Sequence, residues 1–156
     1  MSEFPNASGV GMDISQAALD VAKENSKTLG LDRRAEFLRA EWDTGLAEEF
    51  DIVVSNPPYI PTRELNLLEP EVALFEPRLA LDGGIDGLAE YRALGPVLVR
   101  RLRNPGIAVI ELGVGQSGPV GQIMTRAGLD ILDQRHDLGG VARCLVLRHA
   151  SALTNC

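Results

Sequence analysis

The stretch Phe50-Asp51-Ile52-Val53-Val54-Ser55-Asn56-Pro57-Pro58-Tyr59 decides how the rest of the chain reads. Its first six residues read as a strand whose continuous apolar stretch, Ile52-Val53-Val54, suits the middle of a parallel sheet. The prolines then end the strand, because proline neither donates to a ladder nor continues a helix easily. A strand that stops in Asn-Pro-Pro-Tyr carries a rigid polar tetrapeptide at its carboxyl end. In open α/β sheets, ligands bind at that end.

The tetrapeptide suits a planar NH2 group. The Asn56 side-chain oxygen and a backbone carbonyl, such as that of Pro57, can each accept one of its hydrogens. The nitrogen is then held with its lone pair facing a methyl donor, and the prolines fix this frame at low entropic cost. The Tyr59 ring can stack on a flat amide or base. Aligning nitrogen, methyl and leaving group is a proximity contribution. Acceptors that tighten as the nitrogen gains charge favour the transition state. A proline-stiffened turn, or a proline-rich ligand for a partner domain, is the plain alternative. The placement after FDIVVS, with an acid-ended strand upstream, favours a site.

Working outward, Gly9 to Ile14 reads as a short buried strand ending near Asp13. Ser15 caps a helix that runs to about Leu29, with Gly30 as its stop and Ala18, Val21, Ala22 and Leu29 as its apolar side. Ala35 to Ala40 is a second strand and Phe50 to Ser55 a third. Ile60 to Gly84 has no period and three prolines, a long irregular stretch of the kind that is functional or disordered. Gly87 to Arg103 is an amphipathic helix containing Pro96, which kinks it or moves its start. Gly106 to Leu112 is a fourth strand and Gly118 to Ala127 a helix. Gly128 to Arg135 and Val141 to Arg148 close the chain as an antiparallel pair. Strands alternating with helices predict an α/β sheet, and the absence of repeats or linkers predicts a single domain over residues 1–156.

Composition sets the bounds. At 156 residues and 45% hydrophobic content the chain can bury a core. A net charge of −7 argues against a phosphate backbone as partner, although Arg100, Arg101 and Arg103 cluster locally. The two cysteines, Cys144 and Cys156, lack metal-ligand spacing, so neither a disulfide framework nor a metal site is expected. No leader-like segment and no membrane-length apolar run is evident, so a cytoplasmic protein is expected.

DIVVSNPPYIP resembles motif IV of amino-methyltransferases. The wider set, GMDIS (11–15), Glu41-Trp42, SNPPYIP (55–61), FEPRLALDGGIDGL (75–88) and PGIAVIELGVGQ (105–116), resembles the HemK/PrmC family. The likeness runs from about Phe4 to His149. It implies a Rossmann-like class I fold with helices on both faces of the sheet. It also implies S-adenosylmethionine as cofactor and, as substrate, the glutamine of the GGQ loop in peptide-chain release factors. By position, Asp13 is implied at the ribose hydroxyls, Trp42 against the adenine and Glu41 at the adenine edge. Asn56, Pro57, Pro58 and Tyr59 are implied at the substrate glutamine, with Asn56 also near the cofactor. The plain alternatives are a helix N-terminal acid for Asp13 and ordinary core for Trp42.

The likeness starts late in the family pattern. A strand with a glycine-rich loop of the DLGTGSG kind, the next helix and a small N-terminal helical domain have no counterpart here. In the family that strand lies between the GMDI and DIVVS strands. Without it both neighbours expose unpaired edges, which makes self-association through those edges an expectation. A truncated chain with weak or no activity alone is the reading that follows. The rivals are an adenine or guanine amino-methyltransferase using the same tetrapeptide, and an inactive methyltransferase-like binding module.

Other motifs weigh less. Gly113-Val114-Gly115-Gln116-Ser117-Gly118 fits G-x-G-x-x-G, with Asp130 or Asp133 as a ribose acid, but too little chain follows for a dinucleotide fold. Asp82 to Gly87 lacks the third acid and the terminal glutamate of a calcium loop and reads as a turn in which Asp86 caps the next helix. His136 and His149 are isolated, and Cys144 is expected in the core.

Overall fold

The computed structural model describes Met1 and residues 3–151. Its chain divides into two compact units, Met1–Ala47 and Glu48–Cys156.

In the first unit, β1 (Gly9–Asp13) and β2 (Ala35–Arg39) form a two-stranded parallel sheet, with Gly9 opposite Ala35 and Asp13 opposite Arg39. Helix α1 (Gln16–Thr28) connects them. Ser15 is its N-cap, and the Ser15 Oγ accepts the Ala18 N–H at 3.3 Å. Gly30, just past the end, takes the left-handed φ of +66° that lets the chain turn away. The start and stop of this helix match the sequence reading, but its buried face does not. Leu19 and Ser26 are buried, whereas Val21 and Leu29 are 61% and 69% exposed. A two-stranded sheet covers one narrow stripe, here 19-22-26, and Val21 and Leu29 lie outside it.

In the second unit the strand order is β3-β4-β6-β5, built from β3 (Phe50–Ser55), β4 (Leu102–Glu111), β5 (Leu129–His136) and β6 (Ala142–His149). β3 and β4 are parallel, and β6 runs antiparallel to both β4 and β5, the final pairing the sequence predicts. Helices α4 (Ala89–Arg101) and α5 (Ser117–Ala127) pack on each other and on the sheet. Leu98, Val120 and Met124 from these helices are fully buried, as are Ala108 and Ile110 of β4 and Leu147 of β6. Each large side chain removed from water in this way contributes about 1.5–3 kcal/mol. α4 passes through Pro96 without ending; the residue is exposed, so its ring meets solvent rather than core.

β3 departs from expectation. It pairs with β4 alone among the described strands, as β1 pairs with β2 alone. Each therefore keeps one ladder edge without a partner among the described strands. Ile52 and Val54, read as central-sheet residues, are 56% and 75% exposed. They point away from the face that carries Ala108 and Ile110, since they pair with Ile107 and Val109 on the opposite pleat.

The stretch 60–84 is also more ordered than its sequence suggests. It contains a 3-10 turn at Thr62–Leu67 and two short helices, α2 (Pro70–Phe75) and α3 (Arg78–Leu81). None is long enough to show a period. Strand β4 begins at Leu102 rather than Gly106, directly off the end of α4.

Candidate active site

The candidate residues fall into two groups, one in each unit. In the first unit Asp13, Glu41 and Trp42 sit at the carboxyl ends of β1 and β2. The Ala40 N–H donates to the Asp13 carbonyl at 3.2 Å, which carries the ladder to the residue before Glu41. The Asp13 carboxylate accepts the Ser15 N–H at 2.7 Å through Oδ1. This bond ties Asp13 to the residue that caps α1. A carboxylate has acceptor sites beyond one such bond. Trp42 is half-buried and has φ +50°, the one non-glycine residue with positive φ among those described. A bulky side chain in that region is strained, and such outliers concentrate at ligand sites.

In the second unit Asn56 to Tyr59 leave the carboxyl end of β3, beside the end of β4, where Ser55 lies opposite Ile110. Asn56 is exposed, Pro57 buried, and Pro58 and Tyr59 half-buried. The chain beyond is tied down by the 82–84 turn. The Ile60 N–H donates to the Leu81 carbonyl at 3.0 Å, the Gly83 N–H to the Ile60 carbonyl at 2.8 Å, and the Thr62 N–H to the Gly84 carbonyl at 2.9 Å. Asp82 reinforces this turn by accepting from the Thr62 hydroxyl at 2.6 Å and the Gly84 N–H at 3.0 Å. Those bonds, the hydroxyl first, hold its carboxyl below the usual range.

Tyr59 is gripped at both ends. Its hydroxyl donates to Glu111 Oε1 at 3.2 Å, and its carbonyl accepts the Gln116 Nε2–H at 2.9 Å. Burial, then the Glu111 charge and the hydrogen bond to it, push the Tyr59 hydroxyl above its ordinary pKa. It stays a neutral donor at physiological pH and offers no base. Tyr91 is fully buried and donates to the Glu111 carbonyl at 2.9 Å. Glu111, the last residue of β4, thus holds one tyrosine by its side chain and the other by its backbone. Glycine is required where the 83–87 turn meets Tyr59. A Cβ on Gly83 would stand 2.8 Å from the Tyr59 Cα, and one on Gly87, at φ +73°, would overlap the Tyr59 carbonyl oxygen. An open groove of about 790 Å³ adjoins Tyr59, lined by Ile60, Pro61, Leu67, Asp86 and the Gly113–Gln116 turn among others.

Glu111, Tyr91, Gly83, Gly87 and Gln116 escaped the sequence reading as site residues. The signal for Gln116 was there, in the turn 113–118 set aside as a failed dinucleotide fingerprint. The remaining secondary motifs resolve as structural. The Asp86 carboxylate accepts the Leu88 N–H at 3.1 Å at the entry to α4 and pairs with Arg92, which holds its pKa at about 2. Asp130 and Asp133 pair with Arg148 and Arg135. His149 is half-buried with Nε2 2.6 Å from the Leu102 carbonyl, and His136 is exposed. Arg103 is paired with Asp51 at 2.8 Å. Cys144 is half-buried rather than core, lying near the hairpin end of β6, and Cys156 lies outside the described residues. Among the described residues no helix is long and apolar enough to cross a membrane.

A mixed sheet whose strands end in this kind of polar frame defines a class. The chain has the α/β methyltransferase fold. A methyltransferase from Pyrococcus furiosus matches with a TM-score of 0.68 at 13% identity, over 96% of this chain and 66% of that one. The ribosomal protein L11 methylase of Lactobacillus delbrueckii subsp. bulgaricus matches with a TM-score of 0.64 at 16% identity, over 92% and 58%. The model of the methyltransferase domain family matches residues 2–110, more than half of the sequence, and the chain belongs to that family. Among curated relatives, the release factor glutamine methyltransferase of Caulobacter vibrioides is 51% identical over 129 residues, 82% of this chain and 45% of the relative. That of Rhodospirillum rubrum is 43% identical over 152 residues, 97% of this chain and 47% of the relative. The chain spans about half the length of these relatives.

Proposed function

We propose that this chain serves the transfer of a methyl group from S-adenosylmethionine to the side-chain amide nitrogen of a glutamine in a peptide-chain release factor. The observation that carries the reading is the Asn56–Tyr59 frame, fixed at the carboxyl end of β3 by bonds to both ends of Tyr59. The names of the relatives supply the substrate. In this reading Asn56 and a Pro57 carbonyl accept the two amide hydrogens and Tyr59 lines the acceptor. Tyr59 does not take a proton, because its own is held toward Glu111.

For the cofactor, the residues of the first unit fit. Asp13 accepts one backbone hydrogen bond and has capacity left for hydroxyl donors. Trp42, in its strained conformation after β2, presents a ring suited to a flat purine, with Glu41 beside it in sequence as an acceptor for an exocyclic amine. When bound, S-adenosylmethionine supplies an electrophilic methyl on a good leaving group. The chain's own work is then to orient the amide. We read residues 1–156 as one partial catalytic domain of a cytoplasmic protein, with weak or no activity alone and able to self-associate through the free edges of β1 and β3. The net charge of −7 speaks against a nucleic acid as acceptor.

Calorimetric titration of the purified chain with S-adenosylmethionine tests the reading, together with methylation of a release factor by the same sample. Loss of an aromatic–base stack is worth about 1–3 kcal/mol, so Trp42→Ala weakens binding about five- to 150-fold. Asn56→Ala abolishes transfer while leaving the chain folded. A folded wild-type chain that binds no cofactor overturns the enzymatic reading and leaves a binding module in its place.

A further inference from the structure

We infer that Gln116 is a positioning residue for methyl transfer, an inference that rests on the function proposed above. Its side-chain amide makes three hydrogen bonds inside the second unit. Nε2 donates to the Tyr59 carbonyl at 2.9 Å and the Gly87 carbonyl at 3.3 Å. Oε1 accepts the Gly113 N–H at 3.1 Å and faces the Tyr91 hydroxyl at 3.4 Å. With carbonyls on one side and donors on the other, the amide has one orientation.

Three loops distant in sequence converge on this one group: the stretch after β3, the turn before α4 and the turn after β4. Occupying the Tyr59 carbonyl has a chemical consequence. The bond takes one of that oxygen's two lone-pair positions and fixes the direction of the peptide that joins Tyr59 to Ile60. The glycines serve the same end, since a side chain at Gly83 or Gly87 would displace the Tyr59 backbone. Gln116 touches neither amide nor methyl donor in this scheme. It acts through Tyr59, by holding the frame in a single conformation.

Two variants isolate that role. Gln116→Met keeps much of the side-chain volume without its donors. Gln116→Glu keeps the shape and turns a carboxylate toward two carbonyl oxygens. The first readout is amide exchange at Ile60 and Gly83, whose bonds to Leu81 and Ile60 hold the stretch after Tyr59. In both variants their protection factors fall about tenfold, the equivalent of roughly one hydrogen bond, while those of Leu145 and Leu147 in β6 hold. Lowering the pH protonates the introduced carboxyl and returns one donor, so protection recovers in Gln116→Glu and not in Gln116→Met. In release-factor methylation kcat falls about ten- to hundredfold, with KM for the release factor nearly unchanged.

Unchanged protection at Ile60 and Gly83 in Gln116→Met overturns the inference. So does an unchanged kcat in a variant whose protection has fallen. A wild-type chain without turnover, in which the variants still lose protection at those two amides, removes the proposed function and upholds Gln116 as the residue that fixes Tyr59.

Discussion

The first unit pairs two strands over one helix and buries Leu19 and Ser26; the second pairs four strands and buries the faces of two helices. Both use parallel pairing with a helical connection, so the difference is one of depth rather than of design. An isolated pair of strands is marginal in water, and stability rises with the number of layers that share a core. The second unit therefore carries the stability of the chain, and with it the Asn56–Tyr59 frame. The first unit carries the residues assigned to the cofactor on a lightly packed base. A ligand that binds only the folded form of such a base raises its stability directly.

The largest effect that sharpens this contrast is a core truncation in each unit. Leu98 is fully buried in the second unit and Leu19 is 3% exposed in the first. Leu98→Ala is expected to cost about 2–5 kcal/mol in denaturant unfolding. Leu19→Ala is expected to cost less in that main transition, because the unit it holds together has only two strands and one helix. Equal costs in one shared transition would break the contrast and make the two units a single cooperative body.

Gly87→Ala comes next. The substitution puts a Cβ at φ +73° against the Tyr59 carbonyl. The left-handed conformation and the overlap together are expected to cost about 1–3 kcal/mol. The same denaturant unfolding detects it, and the second unit absorbs the whole loss. A smaller loss belongs to the first unit. Ser15→Ala removes a cap whose bond to the Ala18 N–H is long, at 3.3 Å, so the low end of the usual range, about 0.5–1 kcal/mol, is expected from helix content against temperature. A neutral result there means the Asp13 bond to the Ser15 N–H suffices to start α1.

How far the sequence carried this picture differs between backbone and site. Strands β1, β2 and β3 were legible to within a residue because their apolar runs are bounded by Ser15, Gly30 and the prolines. The segment 60–84 was not, since helices of four and six residues have no room for a period. The start of β4 was hidden by Pro105, which cannot donate to a ladder yet lies within the strand. Asn56 to Tyr59 stood out because their chemistry is local. Gln116 did not, because its role exists only through contacts 57 and 29 residues away in sequence. The packing stripe of α1 was misassigned because α1 has apolar residues on more than one side, and only the sheet decides which side is covered.

The smallest effect is spectroscopic, and it reads the second unit alone because both tyrosines of the chain, Tyr59 and Tyr91, lie there. Both hydroxyls are raised above the ordinary tyrosine pKa near 10, chiefly by burial, with Glu111 adding to the shift. A raised value on an acid means that the folded state favours the neutral form. The resulting stability is fully present below the unfolded value near 10 and is lost as pH rises through the folded value. Phenolate absorbance of the native chain should therefore lag behind that of the chain in denaturant, with the separation opening above pH 10. Tyr91→Phe leaves Tyr59 as the only reporter and should preserve a smaller lag, because Tyr59 is only half-buried. If Tyr59 then titrates like the unfolded chain, its hydroxyl is not held by Glu111. In that case the grip at the ring end of the frame fails, and the Gln116 bond at the carbonyl end is left to fix Tyr59 by itself.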